Sequence, residues 1–258
     1  YEIINRSTYT LTGTYFSPWT DVDLGYGYDD YVGCDVERGL GYGYNGSYID
    51  GSGEPEAYGA QPPALGIDFF QGPYMDPDGI DNPKYNFEVE ITFDHIDPVT
   101  NDSVFNYDTV SYTQIADESI NGVNFGNGII DDERFGMRRF VYHNNSSADN
   151  GDPSTAPQYY NYLRGIWKNG AKMRYGGDAF SSSDVVGPEC DFMFPGDSDP
   201  WNWGTGGNMP NGGFNTDGKY WTEEQCGNAP NDRRFMQSAG PFTLEPGAVN
   251  YITFGVPW

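Results

Sequence analysis

Five carboxylates stand close together near the start of the chain, within DVDLGYGYDDYVGCD, at Asp21, Asp23, Asp29, Asp30 and Asp35. Glycines at positions 25, 27 and 33 separate them and permit tight turns. Calcium takes about six to eight oxygen ligands, at about 2.3–2.6 Å, from carboxylates and carbonyls on such loops. The spacing therefore predicts a calcium site, with a solvated acidic loop as the open alternative.

The acidic loop departs from the EF-hand pattern. Counted from Asp21, Gly25 stands at the fifth position instead of the sixth, and Val32 takes the twelfth position, where an EF-hand has its bidentate Glu. We therefore expect a different kind of calcium loop, in which backbone carbonyls help. A second, weaker metal group is predicted in NGIIDDE, at Asn127, Asp131, Asp132 and Glu133. An ordinary Asx-rich turn is the alternative there.

The overall charge favours cations as partners. Lys and Arg number 13 against 38 Asp and Glu, for a net charge of -25. Between Ser7 and Pro83 there are thirteen carboxylates and a single cation, Arg38. Two carboxylates ~5 Å apart repel each other by about 3 kcal/mol at an effective dielectric of about 20. Calcium is thus an expected partner, whereas binding to nucleic acid or insertion into a membrane is not expected.

Signatures of catalysis are missing from the sequence. There is no GxSxG, and His95 and His143, the two histidines, lie outside any HExxH motif. No Gly-rich stretch reads GxxxxGK[ST], so nucleotide binding is not expected. We therefore predict a protein without enzymatic activity. A secreted glycoside hydrolase is the less favoured alternative, and it would need two carboxylates with separated pKa values across a cleft.

Three tryptophans, Trp201, Trp203 and Trp221, lie in sequence rich in Gly and Asn. Exposed, they would form an aromatic platform for sugar rings, and the chain would be a carbohydrate-binding module. Buried, they would anchor the surrounding loops as a small core. The second arrangement is favoured because this region contains few aliphatic residues.

Cys34, Cys190 and Cys226 make an odd number without a CxxC motif, which argues against a zinc ribbon. A disulfide between Cys190 and Cys226 is the pairing we favour, because both flank a loop-rich segment that a cross-link would stabilise most. Three buried, reduced thiols are the equally weighted alternative.

The elements that position these residues are predicted to be mainly β. Gly and Pro number 35 and 18, and aromatic residues make up 17% of the chain, which indicates many turns between aromatic-rich strands. Strands are predicted near 1–18, 84–96, 103–115, 137–143 and 241–258, and a short helix near 159–170. Residues 19–83 and 176–230 are predicted to be mostly loop. The predicted fold is a β-sandwich or jelly-roll-like set of antiparallel sheets with at most one short helix.

We expect residues 1–258 to form one continuous β-rich domain, a piece of a longer chain, with a seam near 84–103. No apolar run approaches the roughly 18 residues that cross a bilayer. The chain opens with YEIINRSTYTLTGTYF, which alternates like a strand.

Several long stretches together resemble a known group of proteins: DVDLGYGYDDYVGCD, PPALGIDFFQGP, NGIIDDERFGMRRFVYHNN, YYNYLRGIWKNG, CDFMFPGDSDPWNWG and NDRRFMQSAGPFTLEPGAVNYITFGVPW. They resemble a region of large surface or secreted proteins of Bacteroidota, of the kind exported by the type IX secretion system. The resemblance implies an extracellular or cell-surface location and O-glycosylation at Asp-Ser/Thr-apolar motifs, which here are Ser103 and Thr109. It carries no catalytic assignment.

Composition and resemblance together predict a calcium-stabilised structural or adhesive module of a bacterial surface protein, in an extracellular filament or sheath. Glycans and neighbouring subunits of a surface assembly are the expected partners beside calcium.

Overall fold

The computed structural model describes residues 1–84, 87–112, 119–180, 187–210 and 220–258, with the side chains of 87–91 and 107–112 left undescribed. The fold is mainly β, as predicted. Its first strands are β1 (Glu2–Ile4), β2 (Leu11–Phe16), β3 (Trp19–Val22), β4 (Asp30–Asp35), β5 (Leu40–Asn45), β6 (Ile49–Asp50), β7 (Gly59–Ala60) and β8 (Ala64–Gln71). The later ones are β9 (Phe87–Ile96), β10 (Ser103–Tyr112), β11 (Arg139–Asn144), β12 (Arg233–Leu244), β13 (Val249–Tyr251) and β14 (Thr253–Gly255).

Two four-stranded antiparallel sheets build the body of the described structure. In the first, the long strand β12 lies in the middle, with β11 on one edge and both β2 and β3 on the other. The second has the order β14-β8-β5-β4. Strands β1 and β13, β6 and β7, and β9 and β10 form two-stranded ladders.

The two four-stranded sheets pack face to face, as in a β-sandwich. Gly41 of β5 lies so close to the first sheet that a Cβ there would stand 2.8 Å from a ring carbon of Phe140 and 2.9 Å from one of Phe235. The Phe16 and Phe69 rings meet edge to face at 6.3 Å, also across the two sheets. At these contacts, aromatic rings of one sheet pack against a glycine or an aromatic ring of the other, and this close packing sets the local distance between the sheets.

The acidic segment is more regular than the sequence indicates. Residues 19–83, predicted to be mostly loop, contain six strands, β3 to β8. The two GYGY sequences also differ: residues 41–44 lie within β5, whereas residues 25–28 form a turn between β3 and β4. The sequence did not predict β5, because its residues alternate between Gly and Tyr and glycine is depleted in strands.

Most of the remaining predicted elements are present, although β12 begins at Arg233, well before the strand predicted from residue 241. Helix α1 (Ala156–Leu163) is the one α-helix of the described residues, and it begins slightly earlier than predicted. Within the described ranges, β9 and β10 pair only with each other, and the predicted seam near 84–103 falls on this hairpin. No described helix has the length and apolar character needed to span a membrane.

Candidate cation site

Strand pairing brings three carboxylates together at one end of the first sheet. Asp21 of β3 lies opposite Arg234 of β12. Side chains two residues apart lie on the same face of an extended chain. Asp23 therefore lies on the same face as Asp21, and Asp232 lies on the same face as Arg234. Ligand oxygens of Asp21, Asp23 and Asp232 lie within 4.8 Å of one another. Two ligands on opposite sides of one calcium ion are separated by about the same distance.

One guanidinium partly neutralises this group. Arg234 contacts Asp21 at 3.1 Å, Nη2 to Oδ2, and Asp232 at 3.0 Å, Nη1 to Oδ1. Burial raises the pKa of Asp21; Arg234 opposes that rise, while Asp23 and Asp232 add to it. Three carboxylates and one cation leave two negative charges, which is the charge that a divalent cation balances.

The donor set fits a hard cation. All three side chains offer carboxylate oxygen, with no imidazole or thiolate among them. Oxygen-only sites suit calcium, magnesium or manganese more than zinc or copper. Three carboxylates are half or fewer of the ligands that calcium takes, so backbone carbonyls or water would complete the shell.

Asp30 extends the acidic group into the interior. Its side chain is 0% exposed, and its Oδ2 accepts a hydrogen bond from the Leu24 amide at 3.1 Å. Its Oδ1 is buried and has no hydrogen-bond partner among the described residues. Burial, together with the nearby carboxylates of Asp29, Asp50 and Asp23, raises the pKa of Asp30 to about 7. A carboxylate in this position is costly unless a proton or a cation compensates it.

Asp29 and Asp50 lie beside Asp30 and order the turn. Asp29 Oδ2 accepts from the Gly51 amide at 2.9 Å, and Asp50 Oδ1 accepts from the Tyr26 amide at 3.0 Å. Burial raises the pKa of Asp29, and the adjoining Asp50 carboxyl adds to the rise. Gly25 makes room for Asp50, since its φ is +71° and an added Cβ would stand 2.0 Å from Asp50 Oδ2.

The five carboxylates of the predicted calcium loop are thus divided among separate places in the fold. Asp21 and Asp23 lie in the three-carboxylate group, while Asp29 and Asp30 lie in the adjoining buried one. Asp35 instead accepts the Arg38 amide at 3.0 Å and pairs with the Arg38 side chain. Asp232 and Asp50 were missed, because Asp232 is distant in sequence and Asp50 stands alone in an ordinary IDG turn. The DRR spacing at 232–234, opposite an alternating DVD, is the one sequence signal for Asp232.

The second predicted metal group serves a different purpose. Asp131 Oδ1 accepts the amides of Asp78 and Gly79, both at 2.8 Å. Asn127 donates to Asp132 Oδ2 at 3.1 Å, and Glu133 accepts the Asn82 amide. Asp131 and Glu133 thus join two loops as hydrogen-bond acceptors, while the bond between Asn127 and Asp132 lies within one loop. The acidic residues of this segment form no three-ligand group within the described chain. These contacts are typical of the Asx-rich turn that is the alternative to a metal site there.

The tryptophans do not form an exposed platform. Trp221 is 0% exposed, packs against Phe194 and Tyr175, and donates from Nε1 to the Gly177 carbonyl at 3.0 Å. Trp203 is 8% exposed, and Trp201 alone lies on the surface. The carbohydrate platform is therefore wrong for Trp203 and Trp221, which form the loop-anchoring core that was the favoured alternative.

The predicted disulfide between Cys190 and Cys226 is also not formed. All three cysteines are free thiols, with Cys34 and Cys190 buried and Cys226 half-buried. Cys226 Sγ donates to the Glu223 carbonyl at 3.1 Å and Cys34 Sγ to the Met193 carbonyl at 3.2 Å. The loop-rich segment is held by buried aromatic packing where the prediction placed a cross-link.

His143 forms an Asp-His pair that invites comparison with catalytic dyads. Its Nδ1 lies 2.9 Å from Asp152 Oδ1, and its ring is 0% exposed. The Trp19 indole donates to Nε2 at 3.2 Å, so Nε2 is the acceptor and Nδ1 carries the proton. Burial lowers the pKa of His143, against the opposing influence of Asp152. Because Trp19 covers Nε2, this histidine is not placed to accept a proton from a substrate.

The predicted glycosylation sites lie on the β9–β10 hairpin. Ser103 is exposed at the start of β10. Thr109 belongs to the same strand, but its side chain lies outside the described part of the structure.

Comparison of the chain with protein families, with curated proteins and with solved structures gives no match in any of the three. Functional inference therefore depends on the geometry of the residues themselves.

Proposed function

We propose that this chain is a calcium-stabilised structural or adhesive module of a bacterial surface protein. The convergence of Asp21, Asp23 and Asp232 within 4.8 Å is the observation that carries the proposal. A divalent cation there would reinforce the pairing of β3 with the start of β12, two strands that are distant in sequence and adjacent in the first sheet. It would also relieve the repulsion on the buried Asp30 carboxyl, which neighbours Asp23.

A structural role agrees with the other polar groups. His143 is engaged on both ring nitrogens, and the carboxylates of the second predicted metal group bind backbone amides. Such arrangements stabilise a surface more readily than they catalyse a reaction. The extracellular location, the filament or sheath assembly and the export route are parts of the same proposal, supported by the acidic composition and by the sequence resemblance.

Thermal unfolding with and without calcium tests the cation site. At a concentration about 100 times its dissociation constant, a ligand of the folded state contributes about 2.7 kcal/mol. In a domain of this size we expect the melting temperature to rise by roughly 5–10 °C over that in EGTA. Sodium chloride at equal ionic strength is the control for general screening.

Variants locate the effect. Asp23→Asn removes one charge from the three-carboxylate group, whereas Glu56→Gln removes an exposed charge elsewhere. Asp23→Asn should weaken the calcium response at least tenfold in calcium concentration, and Glu56→Gln should leave it unchanged. A wild-type melting temperature that is equal in calcium and in EGTA would refute the calcium site.

Labelling of intact cells tests the location. An antibody or a membrane-impermeant label should reach the protein on cells that produce it naturally. Recovery of the protein only after lysis would contradict the surface assignment without affecting the cation site.

A further inference from the structure

A polar cleft of about 450 Å³ lies next to the cation site, and it differs from that site in being lined mainly by uncharged side chains. Its walls come from the end of β11 and the following turn, from the residues that lead into β12, and from Tyr28 of the acidic turn. This volume lies within the roughly 300–1,000 Å³ of ordinary small-molecule sites. The cleft shares Asp232 with the three-carboxylate group.

Asparagine side chains dominate the lining, at Asn144, Asn145, Asn150, Asn228 and Asn231. A carboxamide offers both an acceptor oxygen and two donor hydrogens. A sugar hydroxyl likewise both donates and accepts, so paired hydrogen bonds between the two groups are complementary. An apolar ligand would leave these amides without partners, which costs free energy.

Several of these amides are already oriented by the protein. Asn145 Nδ2 donates to Asp232 Oδ2 at 3.1 Å, and Asn150 Nδ2 donates to Asp178 Oδ2 at 3.2 Å. Each bond uses one hydrogen of the amide and fixes its plane, while the remaining hydrogen and the carbonyl oxygen can address a ligand. Side chains fixed before binding lose less entropy when the ligand arrives.

An exposed aromatic side chain also lines the cleft. Tyr28 is 63% exposed and lines the cleft, and the centroid of its ring lies 5.5 Å from that of the Tyr26 ring. An exposed, supported ring of this kind can pack against the apolar C–H face of a sugar. The other tyrosine in the wall, Tyr142, is buried and has the Arg233 guanidinium over its ring at 5.0 Å. Tyr28 is therefore the stacking residue.

Charge selects among saccharides. The lining contains two carboxylates, Asp178 and Asp232, and one cation, Arg233, which is committed to the buried Glu223 at 2.7 Å. A sulfated or uronic-acid glycan would meet net negative charge without an available guanidinium. From these features we propose that the cleft binds a short segment of a neutral glycan, by amide-hydroxyl hydrogen bonds and by stacking on Tyr28.

Hydrolysis of that glycan is not part of the proposal. Asp178 accepts from the Phe180 amide at 3.1 Å in addition to Asn150, and Asp232 is engaged by Arg234 and Asn145. Both carboxylates thus serve as anchors for neighbouring groups. A general acid and base pair would need oxygens directed at the substrate.

Binding to immobilised oligosaccharides tests the proposal. The panel contains neutral oligomers of glucose, galactose, mannose and N-acetylglucosamine, with polygalacturonate and heparin as anionic probes, all in calcium. We expect at least one neutral oligomer to bind and the anionic probes to bind more weakly. Failure of every neutral oligomer, or stronger binding of the anionic ones, would overturn the proposal. Either result would leave the calcium response of the melting temperature, and hence the proposed structural role, untouched.

Variants assign the binding to this cleft. Tyr28→Ala and Asn150→Ala should each weaken binding at least tenfold. Tyr48→Ala and Trp201→Ala, which remove exposed aromatic rings outside the cleft, should leave it unchanged. Melting temperatures in calcium confirm that each variant is folded. Binding that survives both cleft variants, or that is lost with Trp201→Ala, would place the glycan elsewhere and refute this site.

Discussion

Glu223 and Arg233 form an ion pair inside the protein, with Nη2 and Oε1 2.7 Å apart and the two side chains 0% and 4% exposed. Glu223 Oε2 also accepts the Val32 amide at 2.9 Å, which ties the second sheet to the segment before β12. Burial raises the pKa of Glu223, and Arg233 opposes that rise. The pair therefore joins both sheets beside the polar cleft.

Glu223→Gln should strongly destabilise the domain. The amide keeps the shape of the side chain and can still accept from Val32, but it leaves the Arg233 guanidinium buried without a counter-charge. Breaking a buried pair in this way costs about 3–5 kcal/mol. Urea unfolding measures it. Arg38→Gln, which breaks the exposed pair with Asp35, is the control and should have no measurable effect. Equal effects of the two variants would contradict the role given to Glu223.

Gly41→Ala should also destabilise the domain, by about 1–3 kcal/mol, because overpacking forces neighbouring groups apart. The added methyl would stand 2.7 Å from the Gln237 side chain, besides the two phenyl rings at the sheet interface. Gly66→Ala on the paired strand β8 is the control: its methyl meets Leu40 Cδ1, the end of a flexible side chain, at 2.7 Å and Pro257 Cγ at 3.1 Å. A smaller loss for Gly41→Ala than for Gly66→Ala in urea unfolding would argue against close sheet packing at β5.

Local patterns predicted β9, β10, β11 and the existence of a short helix, but they missed the first eight residues of β12 (Arg233–Leu244). The alternation of residues 87–96 and the turn at 245–248 are visible within a few neighbouring residues, so they can be predicted without knowing any distant contact. Strand β5 was missed because the residues that fit it to the other sheet are glycines. Their purpose becomes visible only when Phe140 and Phe235 are in place.

The candidate site was predictable only in part for a related reason. Asp21 and Asp23 stand out by their local spacing, whereas Asp232 joins them through the register between β3 and β12. Long-range register depends on the whole sheet and leaves little trace in one segment. The buried position of Trp221 likewise reflects two aromatic partners, Tyr175 and Phe194, from two separate loops.

The cysteines should react slowly in the folded protein. Burial raises the pKa of Cys34 and Cys190 well above the usual range, and it raises the pKa of Cys226 to about 11. Because the thiolate is the reactive form, titration with Ellman's reagent should detect little thiol in native protein and three thiols in denaturant. Only one thiol in denaturant without reductant would reveal a disulfide and contradict the free-thiol arrangement.

Asp30 should make stability depend on pH when calcium is removed. Its pKa is 3.8 before folding and about 7 in the folded protein, so the protonated form is the one that folding favours. The associated stabilisation is complete below the unfolded pKa and is lost as the pH rises through about 7. His143 opposes this trend, since its lowered pKa destabilises the fold as the pH falls below its usual value.

Asp30→Asn separates the two contributions, because it retains an acceptor for the Leu24 amide and leaves His143 unchanged. In EGTA, its free energy of unfolding relative to wild type should rise between pH 5 and pH 8 by about 1–3 kcal/mol, at ~1.4 kcal/mol for each pKa unit. Glu56→Gln should give no such trend. In calcium the gain should shrink, since a bound cation near Asp23 favours the ionised carboxylate. A difference that is constant from pH 5 to pH 8 in EGTA would show that Asp30 titrates normally in the folded protein.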